Sequence, residues 1–106
     1  MGDKAALQGS FGNLLDMLDD RFDPLQPEDI VAQWTSIMAR GAACARNVAA
    51  WDALASTSPA YDSVIAALDQ ATRALVTADY GNPNEVETAL QATSNALNQL
   101  EGILAA

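Results

Sequence analysis

Apolar or small residues recur along this chain at alternating steps of four and three, in four separate stretches. The first is Phe11, Leu15, Leu18 and Phe22. The second is Ile30, Trp34, Ile37, Gly41, Cys44, Val48 and Trp51. The third is Tyr61, Ile65, Leu68, Thr72 and Leu75, and the fourth is Val86, Leu90, Thr93, Leu97, Leu100 and Leu104. A mean step of about 3.5 residues keeps one seam of a helix turned toward a neighbouring helix, the basis of knobs-into-holes packing. The spacing predicts an all-α chain: an antiparallel helical bundle of three long helices plus a short N-terminal helix.

Punctuation residues set the expected boundaries near 10–22, 27–55, 59–80 and 83–105. Gly9 and Gly12 discourage a firm helix at the start, so residues 1–9 read as a flexible lead-in. Asp23-Pro24-Leu25-Gln26-Pro27 is the clearest linker, because each proline drives the residue before it out of helical geometry. Pro27 suits a first helical turn, and Glu28 and Asp29 favour its positive end. Ser58 and Pro59 restart the chain in the same way. Gly81 reads as a left-handed C-terminal cap, and Asn82-Pro83 with Glu85 as a near capping box. Tyr80-Gly81-Asn82-Pro83 is then a tight connection within a helical hairpin.

These lengths conflict. Helix 27–55 would span roughly 43 Å at the usual rise, and each arm of the hairpin about 33 Å. Either the long helix bends near Gly41, or its end projects and leaves Trp34 or Trp51 wet. The second outcome favours self-association, with Trp34 or Trp51 and Ile37 or Val48 at the contact.

A chain of 106 residues fits one domain, 1–106. Half its residues are hydrophobic, but many of them are alanine, so the core must be thin. The slim middle of the long helix, from Gly41 to Ala50, allows close helix approach. Alanine richness and short connections suit a small bacterial or phage protein. No apolar run approaches the ~20 residues that cross a bilayer. Met1-Gly2-Asp3-Lys4 lacks the layout of a secretory signal. With Cys44 the sole cysteine, a reducing, cytoplasmic setting is expected.

The formal charge is −9, from 14 acidic and 5 basic side chains. One lysine and four scattered arginines give no stripe for a nucleic-acid backbone or an anionic membrane. A protein, or a second copy, is the expected partner.

Chemistry is scarce. Without histidine the usual general base and the commonest metal ligand are missing, and serine or cysteine triads are excluded. No glutamate falls on a seam as a buried acid should. The expectation is a non-enzyme with no cofactor and no metal. Asp16, Asp19, Asp20 and Asp23 form the densest acidic cluster, yet Met17, Leu18 and Phe22 interleave them at helical spacing. That pattern gives a solvated face, or docking to a basic partner, rather than a calcium loop.

Cys44 sits on a seam and reads as a small buried hydrophobe. Arg73 follows Asp69 by four residues and reads as a surface ion pair. Arg40 and Arg46 have no acid one turn away. They pair with acids on another helix or, with Arg73, line an anion-binding cleft between protomers. On the last helix Gln91, Asn95 and Asn98, with Ser94 and Gln99, make an uncharged outer face, a candidate contact surface. The leading expectation is an oligomeric protein-binding bundle (adaptor, chaperone, structural subunit or small inhibitor), acting through helix 27–55 and that face. The alternative is a protein that binds or sequesters a small anionic ligand.

Overall fold

The computed structural model describes residues 4–56 and 58–105. All regular structure among them is helical: α1 (Lys4–Asp20), α2 (Glu28–Ala45), α3 (Val48–Ser56), α4 (Ser58–Thr77) and α5 (Pro83–Ala105). The all-α reading holds, with five helices in place of the expected four. None of them is long and apolar enough to cross a membrane.

α5 is the organising element. It packs most extensively on α4, and also on α2 and α3, while α1 lies across α2, α3 and α4. Its inner face is the expected seam as far as Leu100: Val86, Leu90, Thr93, Leu97 and Leu100 are buried, joined by Ala89 and Ala96, whereas Leu104, the last residue of that row, is 42% exposed. Thr93 is the one polar residue in that row. Its hydroxyl is satisfied by donating to the carbonyl of Ala89 one turn back, at 2.9 Å. α2 likewise buries Ile30, Trp34, Ile37, Gly41 and Cys44, the seam read from its spacing.

The other two seams hold in part: Phe11, Leu18, Leu68 and Leu75 are buried as expected, and neighbouring positions replace the rest. α1 buries Leu7, Phe11, Leu14 and Leu18, so Leu14 takes the place expected for Leu15. α4 buries Val64, Leu68, Ala71 and Leu75, with Tyr61, Ile65 and Thr72 only partly covered. α1 also starts at Lys4, inside the stretch read as a flexible lead-in; positions 1–3 of that stretch lie outside the described residues. Burial of Leu7 four residues before Phe11 outweighs the unfavourable propensity of Gly9 and Gly12, because tertiary packing routinely overrides it.

The stretch read as one helix over 27–55 is two helices that meet at Arg46 and Asn47. Asn47 caps α3, its Oδ1 accepting the Ala50 N–H at 3.2 Å. This corner resolves the length conflict, five residues beyond the glycine expected to supply the bend. It folds Trp51 back onto Phe11, ring centres 5.2 Å apart, and both tryptophans become core residues. Gly41 has a different role. A Cβ there would lie 2.4 Å from Leu15 Cδ2, so the glycine leaves room for the tip of that leucine between α1 and α2.

The α4–α5 connection ends where the sequence put it, with Pro83 the first residue of α5, but α4 stops at Thr77 instead of 80. Its mechanism differs. Gly81 does not adopt a positive φ, so it is not a left-handed cap. Asp79 and Asn82 shape the turn instead: Asp79 Oδ1 accepts the Gly81 N–H at 2.9 Å, and Asn82 Oδ1 accepts the Asn84 N–H at 3.1 Å.

Candidate functional site

Arg40 stands on the flank of α2 that faces α5, and α5 answers with three side chains. Its Nε donates to Glu101 Oε2 at 3.3 Å, Nη1 to Ser94 Oγ at 3.1 Å, and Nη2 to Asn98 Oδ1 at 2.8 Å. Nη2 also pairs with Glu101 Oε1, which makes the contact two-pronged. Ser94, Asn98 and Glu101 follow steps of four and three, so one stripe of α5 presents all three to the guanidinium. The hydrogen bond that Arg40 donates to Glu101, against a smaller opposing effect of burial, holds the Arg40 pKa above its ordinary value.

This network explains part of the neutral face of α5. Asn98, expected at a protein contact, is a ligand of Arg40. The sequence did not single out Glu101, although it is the one acid in the second half of α5 and Arg40 lacks a local partner. That complementarity was the available signal.

The three arginines do not form a common site within the chain. Arg40 is engaged by α5. Arg46 is exposed at the α2–α3 corner. Arg73 pairs with Asp69 at 3.1 Å on α4, as the four-residue spacing implies. The main contacts of α4 are with α5, α1 and α3, whereas those of α2 are with α5 and α1.

The residues expected at a contact on helix 27–55 divide sharply. Trp34, Ile37 and Trp51 lie in the chain's own core, and only Val48, at 60% exposure, is outside it. The premise that a tryptophan end is left wet is thereby corrected: the corner at Arg46–Asn47 turns both indoles inward.

Gln91 and Asn95 remain exposed, and Gln91 Nε2 donates to Asn95 Oδ1 at 3.2 Å. They border an open groove of about 500 Å³ between α4 and α5, lined also by Gln70, Asn84, Glu87, Thr88 and Ala92. A second hollow of about 230 Å³ continues along the same pair past Thr88, walled by Ala74, Thr77, Ala78, Glu85 and Ala89. Alanines line the two hollows together with amides, hydroxyls and the carboxylates of Glu85 and Glu87. Nothing in them supplies a nucleophile with a base.

Asp16, Asp19 and Asp20 are exposed, on the side of α1 away from its buried row. Asp16 and Asp19 border a hollow of about 220 Å³ with Leu15, Met38 and Ala42. Asp23 belongs to the linker, where its Oδ1 accepts the Leu25 N–H at 2.9 Å. Among the described residues no group of three or more cysteine, aspartate or glutamate side chains is disposed to hold a metal ion.

Cys44 is buried and reduced, beside Arg40 and Glu101. Burial is the main influence raising its thiol pKa. Glu101 adds to the effect and Arg40 opposes it. That environment suits an inert core thiol rather than a nucleophile.

Comparison with protein-family models, with curated proteins and with solved structures finds no match for this chain.

Proposed function

We propose that the helices form an antiparallel bundle which acts as a non-catalytic protein-binding module, with the outer face of α4 and α5 as its contact surface. The observation that carries this reading is the groove lined by Gln70, Asn84, Thr88, Gln91 and Asn95, in which Glu87 is the one charged side chain, in a chain of net charge −9. The centres of protein interfaces are depleted in charge, and neutral amides serve there by exchanging one another for a partner's main-chain groups. The Gln91–Asn95 bond is of that exchangeable kind. Asp16, Asp19 and Asp20 lie on another helix and act at longer range, favouring a partner with basic character. Adaptor, chaperone, structural subunit and small inhibitor are all roles that such a surface supports.

The reading as an anionic-ligand binder draws less support. Arg40 spends its donors on Glu101, Ser94 and Asn98, and Arg73 is paired with Asp69.

The test is site-specific photo-crosslinking in the source cell, with the reactive side chain at Gln91 or Asn95 and, as control, at exposed Ser36 on α2. A discrete adduct from positions 91 and 95 and none from 36 is the expected result. The double substitution Gln91→Glu with Asn95→Glu should abolish the adduct partner's co-purification while the chain stays folded, with only a small fall in melting temperature from the like charges spaced four apart with Glu87. Equal yields at all three positions, or a partner that tolerates the double variant, would defeat the assignment.

A further inference from the structure

We propose that α2 and α3 are two halves of one helix hinged at Arg46 and Asn47, and that two copies of the chain exchange α3 by straightening it. This concerns a different part of the molecule from the α4–α5 surface and does not depend on it.

The sequence across the hinge is written for a continuous helix. Ile37, Gly41, Cys44, Val48 and Trp51 keep alternating steps of four and three straight through the corner. Between Ala42 and Ala50 there is no proline or glycine, and most positions are alanine, the strongest helix former. Of the two corner residues, Arg46 stays right-handed at φ −84° and ψ −6°, so the change of direction falls on Asn47, the cap of α3. Val48 bears the consequence. It sits between buried Cys44 and buried Trp51 on the seam, yet is 60% exposed because the corner swings it outward.

Hydrogen bonding agrees. At the corner the Asn47 N–H turns to the carbonyl of Cys44, and the Ala50 N–H to that of Asn47, both three residues back. The Trp51 N–H reaches Asn47 only at 3.5 Å. Straightening would restore bonds to carbonyls four residues back throughout. The bent form therefore depends on the Asn47 cap and on what α3 buries.

What α3 buries identifies the occupant of the opened site. Ala50, Trp51 and Leu54 leave the core if α3 swings away, and Phe11 loses its ring partner. Apolar surface of that size requires an equivalent site, and a second copy presents an identical one. A straight helix over 28–56 spans roughly 43 Å. The folded chain measures 41 Å along its longest axis, so the freed α3 extends far enough to reach a neighbour. Leaving is also eased at one point. The Trp51 Nε1 donor is buried without a partner in the bent form, and undocking returns it to water.

Two substitutions at the hinge pull in opposite directions. Asn47→Ala removes the cap of α3 and inserts the best helix former. It should raise the dimer fraction, shifting the association constant at least about tenfold, since both chains gain. Val48→Pro places proline at the first position of α3, which tolerates it, but in the interior of a straight helix, which does not. That variant should stay monomeric and folded.

The decisive measurement uses Lys4, the one lysine of the chain, whose Nζ meets Asp52 Oδ1 of α3 at 2.7 Å. Isotope-labelled and unlabelled chains are unfolded, mixed, refolded at high concentration and treated with a carbodiimide, which joins these groups as an amide. Exchange of α3 predicts Lys4–Asp52 links between a labelled and an unlabelled chain in the dimer, and links within one chain in the monomer. Dimers whose Lys4–Asp52 links are all within one chain would refute it. So would parent and Asn47→Ala chains that both stay monomeric at every concentration, or a folded Val48→Pro chain that dimerises as the parent does. Should Val48→Pro fail to fold, the mixed-label links and the Asn47→Ala shift decide alone.

Discussion

The indole N–H of Trp34 donates to the main-chain oxygen of Leu18 at 3.1 Å, tying α2 to the last turn of α1. That carbonyl needs an outside donor. At the frayed end of α1 the Phe22 N–H bonds to Asp19 instead, leaving the Leu18 oxygen without its usual partner. Trp51 is equally buried, but its indole N–H meets no acceptor. The two tryptophans thus have the same burial and opposite polar accounts.

Trp34→Phe should therefore destabilise the chain more than Trp51→Phe. The first loses ring volume and strands a buried carbonyl, about 2–4 kcal/mol together. The second loses ring volume but also removes an unsatisfied donor, so about 1–2 kcal/mol is expected. Urea unfolding of both variants, followed by circular dichroism, measures the order. The reverse order would refute this account of the Leu18 carbonyl.

Gly41 and Leu15 should be energetically coupled, because a Cβ on residue 41 would meet Leu15 Cδ2 at 2.4 Å. Gly41→Ala gains about 1 kcal/mol of helix propensity but forces the tip of the half-buried leucine aside, so the two effects should nearly cancel, to within about 1 kcal/mol. In a Leu15→Ala background the clash is gone, and the same substitution should become clearly stabilising. Additive effects in the double-mutant cycle would mean that a side chain at position 41 does not meet Leu15.

The sequence read best on α2 and α5, whose buried rows follow the spacing although α5 packs on three other helices. On α1 two leucines stand side by side at positions 14 and 15, so spacing alone does not choose between them, and packing against α2, α3 and α4 buries Leu14. The corner after Ala45 has no proline or glycine to announce it. Asn47, a good cap in the middle of an alanine-rich run, was the only local sign. The Asp69–Arg73 pair was legible because it is local, whereas Arg40 and Glu101 are 61 residues apart and meet only once α2 is laid on α5. The groove beside Gln91 was half visible: periodicity showed the neutral face, but Gln70 and Thr88 belong to it only through the register of α4 on α5.

Arg40 should not be replaceable by lysine. A single ammonium cannot reproduce the fork that reaches Glu101, Ser94 and Asn98 together. Both charged partners are partly exposed, so screening limits the cost of Arg40→Lys to about 1 kcal/mol. Glu101→Gln keeps the acceptor oxygen and loses the charge, and in that background Arg40→Lys should cost less. Chemical denaturation at low and high salt checks both points. A cost unchanged by Glu101→Gln would show that the pair does not act as a unit.

Alkaline pH should destabilise the folded chain, and the order in which it does so can be assigned to residues. Burial raises the pKa of the Cys44 thiol above its ordinary value of 9.0 and that of the Tyr80 phenol above 10.0, with Arg21 opposing the latter. Both groups are neutral when protonated, and the folded state keeps each proton to higher pH than the unfolded state does. Their contribution to stability is complete below the ordinary values and is lost as pH rises through the raised ones. Urea midpoints should stay level near neutrality and fall above about pH 9. Cys44→Ala should flatten the earlier part of that fall. Tyr80→Phe should flatten the later part, on top of a pH-independent loss from the bond its hydroxyl donates to the Leu75 carbonyl. A midpoint that rises across this range, or a Cys44→Ala curve parallel to the parent's, would contradict the assignment.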